Sequence, residues 1–217
     1  MKARILVWLV ALFCCHNVLF AQKEFVNASA RLSGHPRILL QKGEEKALKK
    51  VIMKDAVWKD IHQSLVDEAG EIVKLPLNER IKTGRRLLSV SRENLRRIFI
   101  LSYAYRMTGK NEFLKRAESE MLKAASFSDW NPSHFLDVGE MTMALAIGYD
   151  WLYPQLSVQT KKEIENAIVE KGLKPSFDER YNWFVNAVHN WSQVCHAGVT
   201  YGALAICCLL YTSPSPR

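Results

Sequence analysis

The amino-acid sequence predicts an all-α fold, an incomplete α/α toroid of helical hairpins, and three observations predict it. Apolar residues recur at helical spacing, and no segment shows the strict alternation of a half-buried strand. Mainly apolar helical segments centred near Phe99, Leu145 and Val194 recur about every 45–50 residues. Charged amphipathic segments separate them, which is typical of an enclosed inner layer covered by an outer one. Because the chain has room for three such pairs at most, the ring would be incomplete.

The first helical region is an amphipathic pattern over residues 42–74, which predicts one or two helices. Pro76 ends the pattern because proline cannot continue a helix. The preceding residues 34–40 contain the string HPRILL, in which Pro36 is expected to keep His35 extended.

Two inner helices are predicted next. The first spans residues 93–107 and is followed at once by an amphipathic outer helix over 111–125. Gly109 lies between them and supplies the left-handed residue that ends the first helix. The second inner helix spans residues 135–153 and is almost entirely apolar, and Pro154 ends it.

A charged amphipathic helix over residues 157–171 completes the second hairpin. Either Ser157 or Thr160 caps its start, the latter through a capping box. Gly172 is expected to stop the helix. After a loop, a helical pattern from about Tyr181 onward predicts the third inner helix.

Residues 1–21 are predicted to be a cleaved signal peptide. Lys2 and Arg4 precede an apolar run, and the small residue Ala21 precedes the expected cleavage point. A membrane anchor and a lipid-attached cysteine near the end of the run are the alternatives. Export through this signal would place the mature protein in the periplasm or outside the cell.

The last residues, 208–217, are predicted to be a non-native tail, because the string CLLYTSPSPR resembles translated adapter sequence. Residues 34–206 then remain as a partial toroid domain of a longer protein. Such a fragment is expected to be inactive by itself. It is also expected to be poorly stable, since an open ring exposes apolar inner helices.

Composition excludes several classes of protein. The 48% hydrophobic fraction is too high for a disordered chain, and five cysteines are too few for a disulfide scaffold. Removing Lys2 and Arg4 with the signal leaves a net charge of +6 from the original +8, which helps to attract polyanions. The basic residues are scattered along the chain, so nucleic acid is not an expected partner.

The densest polar and aromatic cluster spans residues 181–198. His189, Gln193 and His196 fall on one side of the predicted helix. Buried amides and imidazoles are costly without partners, so the cluster indicates either a structural polar network or a ligand site. Sequence spacing alone leaves both interpretations open.

Carboxylates supply a second group of candidates. Asp137 and Glu140 share a helix face, and two carboxylates can act as acid and base in glycoside hydrolysis. Their alternative role is to complement the positive end of a helix. Asp150 lies in the GYDWLY string, whose aromatic residues could stack on sugars but more often pack against neighbouring helices.

Three strings resemble a known family: HPRILL, HFLDVGEMTMALAIGYDWLY and HNWSQVCHAGVTYGALAI. They occur in the order and rough spacing of the N-terminal part of heparinase II/III-like polysaccharide lyases, over about residues 34–206. The resemblance implies an exported bacterial enzyme with an α/α toroid followed by a β-sandwich domain. It also implies cleavage of an acidic polysaccharide, of the heparan sulfate or alginate type, by β-elimination.

The resemblance implies that His189 and Asn190 are catalytic, by neutralising the carboxylate of the reacting sugar. Many relatives have NNW where this chain has HNW, so the resemblance leaves open which residue of the pair faces the cleft. Gln193 is expected to assist substrate binding. The side chains expected to line sugar subsites are Trp130, His134 and Trp191. The family's catalytic tyrosine and second histidine have no counterpart here, and no cofactor or metal is expected.

Two rival functions remain open. The first is an α/α-toroid glycoside hydrolase that uses Asp137, Glu140 or Asp150 as acid and base. The second is a non-enzymatic helical glycan-binding protein on the outer surface of the cell. Hydrolysed products would indicate the first rival, and a lipid-attached cysteine would indicate the second.

Overall fold

The computed structural model describes residues 34–210, with side chains described up to residue 206. This part of the chain holds seven α-helices and no strand, so the all-α prediction is confirmed for it. In chain order they are α1 (Glu45–Lys54), α2 (Ala56–Lys74), α3 (Leu88–Thr108), α4 (Asn111–Ala125), α5 (Phe135–Leu152), α6 (Val158–Ala167) and α7 (Asn190–Leu210). The predicted signal peptide and most of the predicted tail lie outside the described residues.

The amphipathic pattern over residues 42–74 forms two helices, α1 and α2. Asp55 separates them because its backbone is extended and its side chain caps α2, accepting a hydrogen bond from the Trp58 N–H at 3.1 Å. The second helix ends at Lys74, ahead of Pro76 as predicted.

The helices α3 and α4 form the predicted first hairpin. Gly109 has a φ of +74°, and its N–H donates to the Tyr105 carbonyl at 2.7 Å, which confirms its role as the left-handed cap. The helix α3 begins at Leu88 rather than at residue 93. It starts earlier because a tight turn ends immediately before it, where Thr83 and Arg86 exchange two backbone hydrogen bonds.

The second hairpin confirms an enclosed inner helix and its outer partner. All residues of α5 except Met143 are buried. Ser157 caps α6, and its side chain accepts from the Thr160 N–H at 3.0 Å. The prediction that Gly172 stops this helix is wrong, because a π-helical turn over Ile168–Leu173 continues it and buries Gly172 against Thr142.

The third inner helix, α7, begins at Asn190 and not near Tyr181. Two 3-10 turns, Lys174–Phe177 and Asn182–Asn186, occupy the intervening chain. Phe184 explains the difference, because its buried ring packs 4.3 Å from Phe135 and ties the second turn to the start of α5.

The inner helices α3, α5 and α7 run parallel. Asp137 of α5 meets the residue before α3, whereas Gly148 near the end of α5 meets Ile98 farther along α3. In the same way, Gly139 of α5 meets Gly198 of α7, and Thr142 meets Gly202 farther along both helices. The backbones of Gly139 and Gly198 are so close that a Cβ on Gly198 would clash with the Gly139 carbonyl group. The outer helix α4 packs on α3 and on α6.

The three inner helices therefore begin at the same end of the layer. We call this end the N-terminal rim and define it by residues 83–92, 131–140 and 189–193. Within the described range, no helix has both the length and the apolar character needed to cross a bilayer.

Candidate functional site

Asp137 is the buried centre of the N-terminal rim. Its Oδ1 lies 2.7 Å from Nδ1 of His134. Its Oδ2 accepts from the Leu87 N–H and from the Asn131 side-chain amide, both at 2.6 Å. Both oxygens are occupied, so this carboxylate joins the start of α3 to the start of α5.

Asn131 fixes the loop that precedes α5. It has a φ of +60°, a left-handed conformation that asparagine tolerates better than most residues. Its backbone N–H donates to Asp129 at 2.6 Å, and its side-chain amide also donates to the Arg85 carbonyl at 2.8 Å. The turn that carries Arg85 is therefore held against the α5 loop.

An aromatic surface covers the start of α7, formed by Trp183, His189 and Trp191. The ring of Trp191 lies 4.9 Å from that of Trp183 and 6.4 Å from that of His189. Beneath it, the His134 ring meets Trp191 edge-on at 4.6 Å. With Trp183 46% exposed, the surface presents aromatic rings to solvent, tilted by 39° between Trp183 and Trp191.

His189 and Asn190 are both exposed and lie beside Trp191. The expectation that both lie inside the inner helix is wrong for His189, which precedes the first residue of α7. Among the described polar atoms, its Nδ1 has one long contact, 3.4 Å from the Trp191 backbone nitrogen. Gln193 is exposed as well, and neither its amide nor that of Asn190 bonds to a described residue.

The expected role of Trp130 in a sugar subsite is corrected by its burial. Trp130 is fully buried, and its indole N–H donates to the Ala124 carbonyl at 3.0 Å. His134 is also buried and supports the aromatic surface from below. His196, in the second turn of α7, is exposed, and its Nδ1 lies 2.6 Å from the Ser192 carbonyl oxygen.

Glu140 is the second rim carboxylate, and it is paired. The Nε of Arg92 lies 3.1 Å from each of its oxygens. Burial raises the pKa of Glu140, and the nearby charge of Asp137 raises it further, against the opposing effect of Arg92. Burial likewise raises the pKa of the free Cys195 thiol to about 12.

Asp150 lies at the opposite end of α5 and anchors the HPRILL segment. Its Oδ1 lies 2.6 Å from Nδ1 of His35, and its Oδ2 accepts from the N–H groups of Arg37 and Ile38, both at 2.9 Å. The neighbouring Trp151 indole donates to the Ile38 carbonyl at 2.7 Å. These contacts favour the packing interpretation of the GYDWLY string.

Sequence reasoning missed a basic cavity on the N-terminal rim. Arg85, Arg86 and Arg92 line a cavity of about 580 Å³. The available signal was three arginines within eight residues around the start of an inner helix. That signal is weak, because Arg96 and Arg97 lie in the same region and are paired with glutamates.

No model of a known protein family matches the chain, and no curated protein matches it. Among the residues that the structure describes, no group of three or more His, Cys, Asp or Glu side chains could hold a metal ion. The site is thus defined by its geometry: an aromatic surface, exposed amide and imidazole groups, and a basic cavity on one rim.

Proposed function

We propose that this chain is part of an exported polysaccharide lyase that cleaves uronic-acid-containing polysaccharides by β-elimination. The N-terminal rim is the substrate cleft in this proposal. One observation carries it: exposed His189 and Asn190 lie beside an aromatic surface on the rim that also presents three arginines. The resemblance to heparinase II/III-like lyases supports the same assignment, as does the all-α fold.

The proposed reaction explains the residue types at the start of α7. Removal of the C5 proton of a uronate places negative charge next to a carboxylate, and donors aimed at that carboxylate stabilise the enolate. The Asn190 amide and the His189 imidazole supply such donors. Gln193, about one turn farther along α7, is placed to assist.

Sugar binding is assigned to the aromatic surface. The faces of indole rings pack well against the apolar faces of sugars, and Trp191 and Trp183 are both partly exposed. The proton itself is removed by a general base such as tyrosine, which the resemblance implies lies farther along than the last of the three matching strings. The described rim therefore binds the substrate and neutralises its carboxylate.

The arrangement of the carboxylates supports the hydrolase alternative less well than the rim supports the lyase. Asp137 and Asp150 are both buried, and each has both oxygens occupied by protein donors. A glycosidase needs two carboxyl groups that reach the scissile bond, and Glu140 is the one that remains on the rim. Its raised pKa suits a general acid, but the other rim carboxylate, Asp137, is buried and has both oxygens occupied.

Mass spectrometry of the products distinguishes these functions. The complete gene product is incubated with heparan sulfate and with alginate, and the fragments are weighed. A lyase gives fragments whose masses add up to that of the substrate, whereas hydrolysis adds one water at each cut. Addition of water would replace the proposal by the hydrolase, and binding without cleavage would replace it by the glycan-binding protein.

A further inference from the structure

We propose that Arg85 and Arg86 form an anion subsite that binds a carboxylate or sulfate group on a sugar next to the reacting one. Arg92 lines the same cavity and is paired with Glu140. The identity of the polymer rests on the proposed function. The binding of an anionic sugar rests on the charge and the geometry of this cavity, independently of the proposed reaction.

A rigid turn presents Arg85 and Arg86. Thr83 N–H donates to the Arg86 carbonyl at 2.8 Å, and Arg86 N–H donates to the Thr83 carbonyl at 3.1 Å. Gly84 has a φ of +59°, which the turn requires and which glycine adopts without strain. This geometry fixes the backbone from which both guanidinium groups project.

Two side chains at the start of α5 hold the end of this turn. The Asn131 amide donates to the Arg85 carbonyl, and the Leu87 N–H donates to Asp137. Because the backbone is already ordered, less conformational entropy is lost when the arginines bind a ligand.

Arg85 and Arg86 differ from every other arginine of residues 34–206. The guanidinium groups of the others lie near a carboxylate within that range: Arg37, Arg80, Arg92, Arg96, Arg97, Arg106, Arg116 and Arg180. Arg85 and Arg86 have no such partner among the described side chains, and both are exposed. Two adjacent arginines without a carboxylate are available to an external anion.

A continuous set of contacts joins this cavity to the start of α7. Asn131 bonds both to the Arg85 carbonyl and to Asp137. Asp137 pairs with His134, whose ring packs against Trp191. A polymer lying on the aromatic surface therefore has the basic cavity on the same rim, in a fixed relation to it.

The chemistry of the cavity fits an acidic sugar. Guanidinium groups bind carboxylate and sulfate oxygens through paired, charge-assisted hydrogen bonds. The volume of about 580 Å³ exceeds the needs of a single small ion and lies within the range of ligand sites. Leu88 adds an apolar wall to the polar lining.

Binding to polymers that β-elimination cannot cleave tests the subsite separately from the reaction. The probes are short dextran sulfate, short carboxymethyl-dextran and plain dextran, none of which contains a uronic acid. Affinities of the complete gene product are measured by calorimetry. The wild type is expected to bind one or both charged dextrans and to ignore plain dextran.

The double variant R85A/R86A is expected to lose at least about tenfold in affinity for the charged probe. Its matched control is K49A/K50A, which removes the same charge from two adjacent exposed residues of α1 and should change the affinity less than about twofold. The variant R85K/R86K keeps the charge but not the paired geometry and should restore binding only in part. Thermal melting checks that all variants remain folded.

The subsite is overturned if the wild type binds no charged dextran, if it binds plain dextran equally, or if R85A/R86A binds as the wild type does. An equal loss in K49A/K50A also overturns it, because general charge would then suffice. Arginine-dependent binding without unsaturated products from uronate polymers would leave the subsite intact and overturn the proposed reaction. Unsaturated products without arginine-dependent binding would leave the proposed reaction intact and overturn the subsite.

Discussion

The Nδ1 of His134 lies 2.7 Å from the Oδ1 of Asp137, and both residues are buried. Through this pair, the start of α5 supports Trp191 of α7, while the other oxygen of Asp137 holds the residue before α3. One carboxylate thus sets the relative positions of all three inner helices at the N-terminal rim. The function proposed for the rim depends on this arrangement.

Replacing Asp137 by alanine should destabilise the protein by about 3–5 kcal/mol, because it leaves three buried donors without an acceptor. The control is E71A, which removes a carboxylate whose pair with Lys74 lies in solvent and should barely change the melting temperature. Thermal melting followed by circular dichroism provides the comparison. Equal melting temperatures for D137A and the wild type would contradict a structural role for Asp137.

Two glycines provide a matched test of how closely the inner helices pack. A methyl group on Gly198 meets the backbone of Gly139, so G198A should cost about 2 kcal/mol or more. A methyl group on Gly70 of α2 meets nothing within 4 Å, so G70A should stabilise the protein by about 0.5–1 kcal/mol. Denaturant unfolding measures both, and a neutral G198A would mean that α5 and α7 are farther apart.

Glu140 should make stability depend on pH. Its pKa is raised in the folded protein, so the contribution of this group is most favourable below its ordinary pKa and is lost as pH rises through the raised value. The variant E140Q should therefore melt higher than the wild type near neutral pH, and the difference should vanish below about pH 4.

The matched control for that pH series is E71Q, since Glu71 is an exposed glutamate of α2. It should follow the wild type across the whole series of melting temperatures. A lower melting temperature for E140Q at neutral pH would mean that the pair with Arg92 outweighs the burial of the carboxylate.

Cys195 should resist alkylation in the native protein. It is fully buried, and its pKa of about 12 keeps the thiol protonated at ordinary pH, whereas the thiolate is the reactive form. Peptide mass spectrometry after iodoacetamide treatment should find the Cys195 peptide unmodified without denaturant and modified with it. Similar labelling rates in both conditions would place Cys195 at an accessible surface.

Backbone preferences and helix capping, which are visible in the sequence, made much of the fold predictable. Gly109 ends α3 because of a backbone preference that is visible in the sequence, and Ser157 caps α6 for a similar reason. The start of α7 was predicted wrongly because the decisive contact, Phe184 on Phe135, joins residues far apart in the chain. Periodicity alone does not contain that contact.

The candidate site was predictable only in part. The exposed group at the start of α7 could be found from its unusual density of amide, imidazole and aromatic side chains. The burial of Trp130 could not, because it depends on close packing against Gly172. Nor could Arg85 and Arg86 be distinguished from Arg96 and Arg97, since the difference lies in where the nearby carboxylates fold.

The central claim is that His189 and Asn190 take part in β-elimination. The most direct test is an activity assay of the complete gene product, in which ultraviolet absorbance follows the formation of unsaturated uronate. The variants H189A and N190A should each be compared with N111A, because Asn111 and Asn190 are both exposed first residues of a helix. The account predicts that at least one of H189A and N190A loses about a hundredfold or more in kcat, whereas N111A matches the wild type. Unchanged turnover in the double variant H189A/N190A would contradict it.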